Sequence, residues 1–202
     1  MLEYAGGLAW GYCLADHVVG YVEAIALADP AETTHIVCER TAPVTADDRI
    51  TSAVLATLPM GSRLHGTECG ACLTTEYGCV ALSHLSRVGE PEADPVIVAE
   101  RLLGAPYRPG GRGPDGIDSA GLVQLALGLC GLTVPRLLDQ LQAVGDPLPD
   151  GGAARRGDLA LFDGGAGLMV DDLMMIHAGV ATGKVAVEPA ALYAARARRL
   201  PL

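Results

Sequence analysis

The 202 residues predict an α+β protein, with short strands first and helices only in the second half. Three observations predict it. Up to residue 88 the apolar runs are short and broken by turn residues, with Gly61, Gly66, Gly70 and Gly78 as punctuation, the pattern of small barrels. After residue 94 two segments carry apolar residues at helical spacing behind a capping residue. Between residues 158 and 187 four further apolar runs, separated by turns, read as consecutive antiparallel strands. Strands, then helices, then a meander is an α+β order.

The individual elements follow in turn. Residues 8–13 and 18–22 flank a turn around Ala15, Asp16 and His17. Residues 35–38, 53–55, 63–65, 72–75 and 79–82 read as a second set of strands. Residues 89–94, polar and bearing Pro91, read as a linker. Asp94 is a helix cap and Pro95 suits the first helical position; Val98, Ala99, Leu102 and Leu103 give the stripe, and Gly104 ends it. A loop rich in Gly and Pro runs to Gly116. A second helix starts at Asp118, carries Leu122, Val123, Leu125, Ala126 and Leu129, and stops at Gly131. Residues 158–162, 167–170, 174–177 and 184–187 are the four strands of the meander.

Composition narrows the function classes. The formal net charge is −10 and the isoelectric point is near 4.8, which argues against nucleic acid as a partner, since phosphate binding needs a basic footprint. The one basic cluster, Arg196, Arg198 and Arg199, reads as a complement to a helix end. No run approaches 18 apolar residues, so no transmembrane segment is expected. The start lacks a basic stretch followed by an apolar one, so a cytoplasmic location is the expectation. Six cysteines are then expected as thiols. Cys69 and Cys72 have zinc-ligand spacing, with Cys79, His65 and His84 nearby, but no second paired motif accompanies them. They read as small hydrophobes in a hairpin region, and neither metal nor cofactor is expected.

Three runs then stand out together: Leu103-Gly104-Ala105-Pro106-Tyr107, Gly116-Ile117-Asp118-Ser119-Ala120-Gly121-Leu122-Val123-Gln124 and Arg156-Gly157-Asp158-Leu159. With Pro135-Arg136, Gln140 and Met175-Ile176-His177-Ala178 they resemble, in order, the motifs of the NlpC/P60 cell-wall peptidases. The resemblance implies a papain-like domain over residues 95–202, joined by the 89–94 linker to bacterial SH3-like units at 33–88 and, truncated, at 1–32. The first of these units is expected to lack its opening strands, because Trp10 lies so close to the start.

The chemistry of such enzymes needs a nucleophile at a helix N-terminus, a histidine base and a polar residue that orients it. The resemblance puts Ser119 at the nucleophile position, Gly165 at the base position and His177 at the orienting position. It assigns Asp118, Tyr107 and Val18 to substrate binding. Val18 stands where related proteins carry a tyrosine, and valine has no hydrogen-bonding group. A serine depends on its base more than a cysteine does, so the loss at Gly165 weighs heavily on Ser119. Cys130, at the far end of the helix begun by Asp118, is disfavoured as a substitute nucleophile by the helix dipole. Two altered catalytic positions point to natural loss of cleavage. The expected function is therefore a catalytically impaired binding or assembly module, with a protein partner or a cell-wall peptide as ligand. The alternative is an active γ-D-glutamyl–diamino acid endopeptidase that uses Ser119.

Overall fold

The computed structural model describes residues 3–14, 18–149 and 152–201. The turn expected at Ala15, Asp16 and His17 lies outside them. The chain is sheet-rich with few helices, as the α+β reading expected in its coarse form.

Strands β1 (Glu3–Ala5), β2 (Leu8–Tyr12) and β3 (Val19–Glu23) form an antiparallel sheet in sequence order. The stretch ahead of Trp10 is therefore not strandless: Glu3 pairs with Trp10, which in turn faces Tyr21. Among the residues of these strands only Ala9 is buried.

The next eight strands are β4 (His35–Val37), β5 (Thr41–Thr45), β6 (Val54–Pro59), β7 (Arg63–Leu64), β8 (Thr67–Cys69), β9 (Cys72–Thr75), β10 (Gly78–Ala81) and β11 (Leu85–Arg87). They make a five-stranded sheet, β6-β5-β10-β9-β8, and a three-stranded one, β11-β4-β7. Alternation of apolar residues fills the space between them with Val37, Ala42, Val44, Leu64, Leu73 and Val80. Pro43 sits in β5, where it pairs only with β6; β10 reaches β5 at Thr45 alone, so the missing proline N–H breaks no ladder bond there.

Helix α1 (Pro95–Glu100) starts as its sequence dictates: the Asp94 carboxylate accepts from the Val96 N–H, and Pro95 fills the first turn. A short ribbon, β12 (Arg112–Gly113) with β13 (Gly116–Ile117), leads into α2 (Ser119–Leu129). Ten of the eleven α2 residues are buried, so this helix runs through the interior rather than over a surface. α3 (Leu138–Leu141) is a single turn.

The last sheet holds β14 (Asp146–Pro147), β15 (Leu159–Phe162), β16 (Gly165–Met169), β17 (Met174–Gly179), β18 (Lys184–Pro189) and β19 (Arg196–Arg199). Its order is β14-β19-β15-β16-β17-β18, so the four expected meander strands are consecutive neighbours. Helices α1 and α2 pack on β16 and β17. Leu159, Ala166, Leu168, Ile176, Ala178 and Val185 join the core with those helices. The alternate residues Ala160, Met169 and Met175 form a separate cluster with Phe162 and Tyr193.

The arginine cluster is a correction. Arg196, Arg198 and Arg199 lie in β19, not at a helix end. Arg199 grips the buried Asp158 carboxylate through Nε at 2.6 Å and a terminal nitrogen at 3.0 Å. Arg198 donates to the carbonyls of Val144 and Gly145. A buried carboxylate needs such a partner, and the sequence cannot announce one forty residues away.

Candidate functional site

Asp118 closes the ribbon and opens α2. Its Oδ1 accepts from the Gly121 N–H at 2.7 Å, the N-cap bond, and its Oδ2 accepts from the Gly110 N–H at 2.8 Å. The same Oδ2 takes a hydrogen bond from Arg136 at 2.8 Å, and both side chains are mostly buried. Arg136 also donates to the Gly111 carbonyl. Gly121 is required here: a Cβ on it would lie 2.6 Å from the Gly111 oxygen and 3.1 Å from Asp118 Oδ1.

Ser119 is the first residue of α2 and is buried. No hydrogen bond joins its hydroxyl to a histidine among the described residues. At the other end of the helix Cys130 is the C-cap, and burial pushes its thiol up to about 11, which suppresses the thiolate.

Gly165 is the first residue of β16, and His177 lies on the neighbouring strand, where it pairs with Gly167. The ring of His177 is fully buried. Its Nε2 hydrogen-bonds Glu188 Oε2 at 2.9 Å, and the same carboxylate oxygen accepts from the Tyr193 hydroxyl at 2.6 Å. Tyr193 and His177 hold the Glu188 carboxyl below its ordinary range, the tyrosine bond counting most. That same bond pushes the Tyr193 phenol up to about 12. His177 Nδ1 is buried and has no partner among the described residues.

The residue that sequence reasoning missed is Phe162. It pairs with Gly165 across β15 and β16, and its ring occupies the volume that a side chain at Gly165 would fill. A Cβ built on Gly165 would lie 3.1 Å from Phe162 Cδ2 and still closer to Cε2 and Cζ. The ring is edge-on to His177, centroids 5.5 Å apart, and tilted against Tyr193 at 4.9 Å. Tyr193 in turn is edge-on to His177 at 4.7 Å. The signal was available only in combination: a glycine opening one strand, three residues after an aromatic that ends the previous one.

Tyr107 is not among the residues that line the cleft at Val18. Val18 lines a cleft of about 510 Å³ with Trp10, Tyr12, Tyr21, Gly110, Arg112 and Arg136. It therefore shares a wall with Arg136, the partner of Asp118. Tyr107 is half-buried against the helical core and its N–H donates to the Gly183 carbonyl. Cys69, Cys72 and Cys79 fall on β8, β9 and β10; among the described residues no group of three His, Cys, Asp or Glu side chains is arranged to hold a metal. Among the described residues, too, no helix is long and apolar enough to cross a membrane.

A buried helix opened by a capping aspartate therefore lies against an antiparallel meander that carries a buried histidine. Residues 104–196 match the family model described as the NlpC/P60 family. The chain is similar to a solved NlpC/P60 family protein from Bacillus cereus, with a TM-score of 0.80 at 17% identity, over 98% of this chain and 77% of that one. NlpC2 from Trichomonas vaginalis gives a TM-score of 0.52 at 19% identity, covering 98% of this chain and 82% of that one. Both likenesses are of fold. In sequence the chain is 26% identical over 197 residues to Dipeptidyl-peptidase 6 of Lysinibacillus sphaericus, covering 88% of this chain and 72% of that protein.

Proposed function

We propose that this chain is a non-cleaving NlpC/P60-type protein, serving as a binding or assembly module for a cell-wall peptide or a protein partner. The observation that carries the reading is the Phe162 ring seated where a base at Gly165 would stand. An acyl-transfer site needs a proton acceptor within hydrogen-bond reach of its nucleophile. In this reading Ser119 has none, because His177 is held by Glu188 and boxed by two aromatic rings. The commitment of Asp118 to Arg136 supports a site that no longer takes a substrate amine there.

Residues 1–32 and 33–88 are, in the same proposal, SH3-like units, the second supported by its own small core. The cleft shared by Val18 and Arg136 is the surface where a ligand would meet both parts of the chain. The test incubates the protein with a free-amine muropeptide containing a γ-D-glutamyl–diamino acid bond and follows products by mass spectrometry. No product is expected, and Ser119→Ala should change nothing. Turnover by the unmodified chain, abolished by Ser119→Ala, would replace this reading with that of a serine-dependent endopeptidase.

A further inference from the structure

Three of the six cysteines share one face of one sheet. Leu73 and Val80 point into the core between the two small sheets, so by alternation Cys72 and Cys79 point the other way. Cys69 and Cys72 are direct partners across the β8–β9 hairpin. Cys79, on β10, faces Thr74 on β9 and is thus the diagonal neighbour of Cys72. Cys69 is exposed and Cys72 is partly so.

The hairpin that joins the first pair is short and set. Its two loop residues are Gly70 and Ala71, and Gly70 has φ +59° while Ala71 is not in the positive region. Glycine first with positive φ is the II′ arrangement, which matches strand twist and fixes the register. Residues opposite each other in such a ladder have Cα atoms about 4.5–5.5 Å apart, inside the range of about 4.4–6.8 Å that a disulfide spans. The Cys72 thiol is pushed up, chiefly by burial and then by Cys79, Asp48 and Cys69 in that order.

We propose that Cys69 and Cys72 are a redox-active pair that closes into a cross-strand disulfide in the presence of a low-molecular-weight disulfide and reopens on reduction. The exposed Cys69 thiolate attacks glutathione disulfide, forming a mixed disulfide and releasing one glutathione thiolate, which takes up the proton that Cys69 lost. Cys72 then gives up its proton and attacks the Cys69 sulfur, expelling the second glutathione. The pair loses two electrons and two protons, and the oxidant gains both. The raised Cys72 thiol makes it the resolving partner rather than the first attacker. Closure would pin the end of β8 next to Glu68, which holds His35 and both arms of Arg87. The proposal does not depend on whether the chain cleaves peptides.

The experiment uses the full chain, incubated with glutathione disulfide, then alkylated, unfolded and cut after glutamate. Cleavage at Glu68 and Glu76 releases residues 69–76, which carry Cys69 and Cys72 and no other cysteine, while Cys79 travels on the next fragment. The expected result is a 69–76 fragment two hydrogens lighter and unalkylated, which takes up two alkyl groups after reduction, with Cys79 alkylated from the start. In Cys72→Ser the reaction should stop at a glutathione adduct on Cys69. Full alkylation of both cysteines in the oxidised native chain overturns the proposal. So does a stable glutathione adduct on Cys69 of the parent, or a Cys72–Cys79 link.

Discussion

Replacing Gly165 by alanine tests whether Phe162 fills the vacancy beside it. The backbone at Gly165 is not in the positive-φ region, so the strand itself tolerates a Cβ, and the obstacle is the ring alone. Phe162 is half-buried, which lets the ring swing aside without dragging the strand. Swinging aside forfeits its pairings with His177 and Tyr193, each about 0.5–1.5 kcal/mol, so Gly165→Ala should cost about 1–3 kcal/mol. In a chain of this size each kcal/mol lowers Tm by about 2–4 °C. The same substitution made in a Phe162→Ala background should cost close to nothing, because the cavity then accepts the methyl group. Thermal unfolding of the parent, both single variants and the double variant gives the coupling energy directly. An equal cost of Gly165→Ala in both backgrounds would refute the idea that the ring occupies the site. Repair should meet the same obstacle: Ser119→Cys with Gly165→His should still give no muropeptide product, and a third change that removes the Phe162 ring should make room for the imidazole.

Two other predictions follow from the same neighbourhood. Tyr193→Phe removes the largest influence holding the Glu188 carboxyl down. A depressed carboxyl stabilises above its unfolded value, near 4.5, and that contribution is lost as pH falls through the folded value. The variant should therefore lose about 1 kcal/mol at neutral pH and little in strong acid; urea titrations at several pH values that show a constant loss would contradict it. Arg136→Met leaves the Asp118 carboxylate largely buried without its cation, which should cost about 3 kcal/mol. A urea midpoint equal to that of the parent would mean that the pair contributes nothing.

Local chemistry made much of this fold legible. Asp94 before Pro95, and Asp118 before a run of small and apolar residues, state where α1 and α2 begin without reference to the rest of the chain. Residues 72–75 are a strand because Leu73 must be buried while its neighbours are not. Strand β5 was hidden by Pro43, a residue that argues against a strand until the pairing places it beside one neighbour only. Strand β19 was hidden because its arginines are explained by Asp158 and by two carbonyls around Val144, contacts that depend on the finished sheet. Motif order singled out Ser119, Gly165 and His177, and the structure puts the first at the start of α2 and the other two on neighbouring strands. The state of the His177 ring could not be read, since Glu188, Tyr193 and Phe162 reach it from three different strand ends and turns.

The seating of Phe162 also fixes the order in which this site can change. With glycine at 165 the ring is free to settle into the gap and take up edge contacts with two neighbours. A histidine placed at 165 would meet occupied space, and a smaller residue placed at 162 alone would leave a hole. Each of these single changes is uphill. The pair behaves as a catch that no single substitution releases.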